Sequence, residues 1–421
     1  MATTMSALAT AYEGEMRSLV EDLIRVDTAA GNEAPAQERV AAALENHGFA
    51  VHTWTADADR LAELPTFPEA EAIDVADRPS VGGVIEFGDP DDGPTLVLNA
   101  HADVVPADPA GWSGDPFEPR WEGDRLVGRG AADMKSQIVA CLFAARHLAD
   151  TATNLDGRVV VESVAGEEEG GIGAAAAALD NPYPFERDAA IVTEPTGLRV
   201  VTATEGNVMK RLTVRGREAH AARKSRGVDV LPRFEAIRTA IEDLEAERTE
   251  AVTHPLYERF DIPWPVVIGR VRAGNWASNV PGWLEADMRI GVAPHESLDT
   301  VEAAFEAAVD SVVEEDDWLS EHPPTFERFG IQFASAEIDA DEPVVEALQA
   351  SLSDHDIGPT DPTGETYAAD ARHYIGAGIP TVVFGPGRIE EAHFPDESIN
   401  WPDVLTAAAV LRDTARTFLA S

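Results

Sequence analysis

Cysteine and lysine are nearly missing from this 421-residue chain, which has one cysteine, Cys141, and three lysines, Lys135, Lys210 and Lys224. A single thiol excludes any intrachain disulfide, and Cys141 sits in an apolar, helix-periodic run where it reads as inert core. No stretch reaches the roughly 20 consecutive apolar residues that cross a bilayer. The first dozen residues, MATTMSALATAY, have neither the basic nor the apolar region of a secretory signal. These absences describe a soluble, intracellular protein, placed in the cytoplasm. Hydrophobic residues make up 44% and aromatics 7%, ordinary for a globular chain long enough for two domains.

Positive charge is also scarce: 32 Lys+Arg stand against 76 Asp+Glu, a net charge of −44. Such a field repels phosphate backbones and anionic lipid, which argues against nucleic acid or a membrane surface as partner. The 29 remaining cations are all arginines. An acidic, lysine-poor surface fits a protein working at high salt, where mobile ions screen its self-repulsion.

Apolar residues recur at helical spacing over 12–27 and 34–48, and a strand-like piece follows at Phe49–Thr53. A polar, proline-dotted stretch, Asp57–Ser80, has no clear period and reads as a surface excursion. From residue 81 strands and helices alternate: VGGVIEF, TLVLNA, the helix MKSQIVACLFAARHL with Asp133 placed to cap it, RVVVESV, an alanine-rich helix, and AAIVT. This is the pattern of an α/β sheet with helices on both faces, whose ligands sit beyond the carboxyl ends of the strands. Near residue 205 the texture changes. VMKRLTVRGREAH reads as an edge-type strand, and a β-α-β-β-α-like group follows, so residues 206–336 are expected to be an inserted smaller α+β domain. Residues 1–205 and 337–421 then form one discontinuous domain.

The stretch TLVLNAHADVVP is an apolar run that breaks into His101 and Asp103, two apart and thus on one face of an extended segment. Alone, this HxD reads as a loop pair meeting water. Other polar residues accumulate at strand exits, however: Asp133, Glu167, Glu168, Glu194, and His393 in GPGRIEEAHFPDES. Two imidazoles among several carboxylates suit a borderline cation such as zinc and are too many for one ion. Two ions would need a bridging carboxylate.

The motifs NAHADVVP, GRGAADMKS, AGEEEGGIGA, VTEPTG, REAHAA and FGPG followed by AHFPDES resemble, in order and over nearly the whole chain, those of the M20 family of dinuclear zinc amidohydrolases. That group holds acetylornithine deacetylase, succinyl-diaminopimelate desuccinylase, aminoacylase and carboxypeptidase G. The resemblance implies a zinc-exopeptidase-like catalytic domain with a ferredoxin-like insertion, and two divalent ions, zinc or alternatively cobalt. It gives His101 and Glu194 to one ion, Glu168 and His393 to the other, and Asp133 to both. Asp103 would fix the tautomer of His101. Glu167 would take a proton from water and hand it to the leaving amine, and Glu169 would be a solvated neighbour. The peptide after Asp133 would be cis. Gly166 departs from the family, where many relatives have Asp, and this puts the orientation of the base in question.

His220 matches a histidine that reaches the other subunit's site, so a homodimer through 206–336 is implied. Asn279 and Arg289 resemble substrate-binding positions, and Gly387 lets backbone approach the ligand. The implied reaction is hydrolysis of the amide of a small N-acyl amino acid. A metallo-exopeptidase acting on dipeptides or C-terminal residues is the alternative, and a catalytically silent binding protein the remote one. If the acidic surface is an adaptation to salt, dialysis into dilute buffer should unfold the protein, read by circular dichroism; a fold unchanged without salt would contradict it.

Overall fold

The computed structural model describes residues 2–420. A nine-stranded mixed sheet runs in the order Ala50–Thr55, Pro79–Phe87, Gly157–Val164, Thr95–His101, Ala189–Val192, Thr381–Val383, Val201–Thr204, Ala336–Glu337, with Thr363–Glu365 also paired to Val201–Thr204. Its four central strands are parallel, so their carboxyl ends share one edge. Every residue of Thr95–His101 is buried. Leu96, Leu98 and Ala100 face the larger core, which also holds Ile138, Leu142, Val404 and Leu411 from two helices, Lys135–Thr151 and Trp401–Leu419. Val97 faces a second core with Val160, Val192 and Tyr374. A strand covered on both faces needs a continuous apolar run, which TLVLNA supplies.

The chain leaves this sheet after Val201–Thr204 and returns as Ala336–Glu337, antiparallel to the strand it left. Between them lies a second, four-stranded antiparallel sheet in the order Val266–Ala273, Trp283–Val292, Gly206–Arg215, Thr325–Arg328. With the helices Leu231–Ala251 and Leu298–Glu315 it has the order β-α-β-β-α-β, the expected β-α-β-β-α-like group with Thr325–Arg328 added as a final strand. It has its own core, including Leu212, Ile237, Ile241, Met288 and Phe305. No helix among the described residues is long and apolar enough to cross a membrane.

Three local expectations are corrected. Gly206–Arg215 is an interior strand; its charges mislead, because Lys210 is buried and held by Glu302 and Glu306 at 2.5 and 2.8 Å. The edges are Val266–Ala273 and Thr325–Arg328 instead. The Asp57–Ser80 excursion is anchored, since Leu61, Phe67 and Ile73 pack with Ile172 and Ala175 in a small core. Asp133 does not cap its helix: Met134 is at the cap position with no side-chain cap.

Replacing Leu98, which is fully buried between two parallel neighbours, with Ala should cost about 2–5 kcal/mol in denaturant unfolding. A loss well below that would mean this strand is not the centre of the core.

Candidate metal centre

His101 ends the central strand and is 1% exposed. Its Nδ1 lies 2.9 Å from the backbone carbonyl of Asp103. A carbonyl only accepts, so Nδ1 donates and Nε2 is left to face Asp133 Oδ1 at 3.0 Å. The tautomer is therefore set by the main chain of Asp103 and not, as expected, by its carboxylate. That carboxylate instead accepts the amide N–H groups of Glu167 and Glu168 at 3.1 and 2.9 Å. Asp133 itself is held by Glu397, whose Oε1 accepts from the amides of Ala132 and Asp133 at 2.8 and 3.1 Å while Arg129 donates to Oε2 at 2.6 Å. The Asp133–Met134 peptide is cis, as the resemblance implied.

The other oxygen of Asp133 turns the opposite way. His393 Nε2 lies 3.4 Å from Asp133 Oδ2 and 2.9 Å from Glu168 Oε1. Two groups of ligand-type atoms result, His101 with Asp133 and Glu194, and Asp133 with Glu168 and His393, the atoms of each lying within 4.8 Å of one another. Asp133 is common to both. Glu194 is 5% exposed and its Oε1 has no hydrogen-bond partner, an expensive arrangement unless something cationic meets it.

The electrostatics agree. Burial alone would lower His101, yet its bond to Asp133 and the charges of Asp103, Asp133 and Glu194 hold it well above its usual value. Burial likewise opposes, and bonds to Asp133 and Glu168 overcome it, in lifting His393 to about 10. Burial raises Glu168, and burial together with Asp133 raises Glu194 well above the carboxylate range. Crowded carboxylates and two imidazoles at one strand edge are a donor set that divalent ions fit.

Glu167 belongs to neither group. Burial, then the charges of Asp370 and Glu194, push it well above its usual value. Arg372 Nη1 stands 4.0 Å from its Oε1. Arg372 is buried, donates to the Ala369 carbonyl at 2.8 Å and lies over the Phe333 ring. Asp370, 1% exposed with both oxygens unpartnered, is pushed by burial up to about 6.

Neither Asp370, Arg372 nor Glu397 was singled out from sequence. Glu397 lay inside the quoted AHFPDES motif and could have been weighed there; Asp370 and Arg372 lay in TYAADARHYIG, which offered only a short helical pattern. Asn279 and His220 are brought together elsewhere, opposite each other in a two-residue ladder of the inserted segment. His220 is exposed there, its Nδ1 accepting from the Ala222 amide at 3.1 Å. Arg289 is not a free guanidinium: its Nη2 donates to the buried Glu205 at 2.9 Å and to the Thr366 carbonyl at 3.2 Å. Gly387 has φ +83° and packs where a Cβ would lie 3.4 Å from the Ala132 carbonyl and 3.5 Å from Pro195. It also borders a cleft of about 420 Å³ that includes Pro195, Arg199 and Arg388.

Fold and site together define a mixed α/β scaffold with two candidate cation sites that share one carboxylate. Residues 97–417 match the family described as Peptidase family M20/M25/M40, and the chain belongs to it. It is similar to the acetylornithine deacetylase of Pectobacterium carotovorum subsp. carotovorum (strain PC1), 30% identical over 315 residues that cover 72% of this chain and 75% of that protein. The fold is that of a di-peptidase from Saccharomyces cerevisiae, with a TM-score of 0.75, 14% identity and coverage of 100% and 98% of the two chains. It is also that of a dinuclear metal binding peptidase of the M20 family from Bacillus subtilis, with a TM-score of 0.65, 14% identity and coverage of 98% and 99%. The protein is a metal-dependent amidohydrolase.

At Gly385 a Cβ would lie 2.3 Å from the Thr193 carbonyl and 2.5 Å from that of Glu194. Gly385→Ala should displace Glu194, and metal analysis should show weakened binding of the ion that shares His101; full retention of two ions would contradict the placement of Glu194.

Proposed function

We propose that this chain hydrolyses the amide of a small N-acyl amino acid, releasing the acyl group as a carboxylate. The observation that carries the reading is the position of Glu167, buried beside both ligand groups and a member of neither. His101, Glu194 and Asp133 would hold one divalent ion, and Glu168, His393 and Asp133 the other, zinc being the ion that this donor set suits. When bound, such ions act as Lewis acids and make a water molecule easier to deprotonate. Glu167 is then the proton carrier, accepting from the attacking water and returning the proton to the departing nitrogen. Arg372 and Asp370 flank it from behind, and Asp103 fixes its backbone amide.

The acylated amino acid is favoured over a peptide because the deacetylase relative is similar at 30% identity across 72% of the chain. Structural likeness to peptidases at 14% identity speaks to fold alone.

Residues 206–336 are read as the inserted lid. One of its edges, Val266–Ala273, leaves Val267 52% and Val271 47% exposed, with Trp276 nearby in sequence at 73%. An uncovered apolar edge strand is what a second copy would pair with, and His220 and Asn279 would then serve the partner's site. Arg289, already paired with Glu205, would contact substrate only by sharing that pairing.

Assay of the metal-loaded protein on N-acetylornithine, N-succinyl-diaminopimelate and a dipeptide panel should give turnover on an N-acyl amino acid; activity confined to dipeptides would replace this reading by the exopeptidase one. Glu167→Gln should lower kcat by roughly 10²–10⁴-fold with two ions still bound. Wild-type turnover in that variant would remove Glu167 from the mechanism.

A further inference from the structure

Glu169, expected to be solvated, is instead one arm of an ion-pair chain that runs into the interior. Arg78, 3% exposed, donates from Nε to both oxygens of Glu33 at 3.1 and 3.2 Å, from Nη1 to the Asp74 carbonyl at 3.2 Å, and from the same Nη1 to Glu169. Glu33 is fully buried and the Glu169 side chain is 47% exposed. The guanidinium thus ties a buried carboxylate near the amino-terminal helices to the loop that carries Glu167 and Glu168.

Three glycines shape that loop. Gly166, Gly170 and Gly171 all take left-handed φ, at +73°, +110° and +75°, so glycine freedom lies on both sides of the three glutamates. Packing does not fill the space beneath, where a cavity of about 100 Å³ is bordered by Arg78, Asp103, Glu168 and Glu169. Other restraints are the loop's own backbone bonds, from the Gly170 and Gly171 amides to the Glu167 and Gly166 carbonyls at 2.8 Å each, the Asp103 carboxylate on the amides of Glu167 and Glu168, and the His373 ring 3.2 Å from the Gly170 carbonyl. Arg78 also occupies the ground beside Gly166: a Cβ there would stand 3.0 Å from its Nη2.

We propose that Arg78 and Glu169 are positioning residues, a clamp anchored on Glu33 that fixes the Gly166–Gly171 loop and thereby aims Glu168 at its ion. The proposal rests on Glu168 being a metal ligand. Arg78 itself is a poor handle, because removing it strands the buried Glu33 charge and would destabilise the whole protein. Glu169 is the usable arm. Its loss leaves Arg78 and Glu33 paired, and a half-exposed ion pair contributes little to global stability.

The test uses the full chain, stripped of metal and titrated with Zn²⁺ against a chelator, for wild type, Glu169→Ala, Glu169→Gln and Glu168→Ala. Glu169→Ala is expected to keep the melting temperature of the metal-free protein and to speed hydrogen exchange at the amides of Glu167 and Glu168. It should weaken the ion that Glu168→Ala abolishes by about 10–100-fold, the range seen when a ligand's supporting partner is removed. At saturating Zn²⁺ its kcat recovers with KM unchanged, and Glu169→Gln, which still accepts from Arg78, recovers most of the affinity. If Glu168→Ala loses that ion while Glu169→Ala binds both as wild type does, the clamp is wrong and the ligand reading stands. If Glu168→Ala still binds both ions, the ligand reading falls and the proposal falls with it.

Discussion

One carboxylate, that of Asp133, faces two imidazoles from opposite ends of the chain. Its Oδ1 meets His101 at 3.0 Å and its Oδ2 meets His393 at 3.4 Å. Everything nearby serves that double engagement. Glu397 fixes the backbone that presents it, the main chain of Asp103 turns the His101 ring, and Gly385 lets its loop close to backbone contact with Thr193 and Glu194. The parallel strands contribute by ending together. His101, Glu167, Glu168 and Glu194 come from three adjacent strands whose polar groups cannot be spread elsewhere.

Such a cluster works against the fold. Burial raises Glu167, Glu168, Glu194 and Asp370 above their ordinary range, and neighbouring carboxylates add to it: Asp370 and Glu194 for Glu167, Asp133 for Glu168 and Glu194, Asp103 and Glu162 for Asp370. Like charges in low dielectric are stable only when something positive is shared among them. Protonated imidazoles can do this in the metal-free chain, and two dications held as proposed would do it more completely, coupling metal binding to local folding. The same crowding leaves Glu167 ready to hold a proton, which is the property a shuttle between water and a leaving nitrogen needs.

Much of this was readable in the residues. The α/β pattern and the strand-exit positions of His101, Glu168 and Glu194 follow from periodicity, because buried parallel strands must be apolar along their whole length; the second group was legible as β-α-β-β-α, without its last strand Thr325–Arg328. What escaped was polar and non-local. The charges of VMKRLTVRGREAH gave an edge-type strand, whereas Glu302 and Glu306 hold Lys210 inside the sheet. Asp133 had the spacing of a helix cap, but Met134 takes that position and the Asp133 carboxylate turns to two distant histidines. Arg372 and Glu397 act through contacts that span 205 and 264 residues, respectively, to Glu167 and Asp133, which no local window contains. Glu169 and Arg78 are 91 residues apart, and a run of three glutamates gives no sign of which one turns inward.

The central claim is that Asp133 is shared between two cations. X-ray absorption or anomalous scattering on the zinc-loaded protein tests it directly. The account predicts two ions about 3.5–4 Å apart, each bonded to a different oxygen of Asp133, with His101 and Glu194 on one and Glu168 and His393 on the other. A single ion, or two ions of which only one touches Asp133, would contradict it.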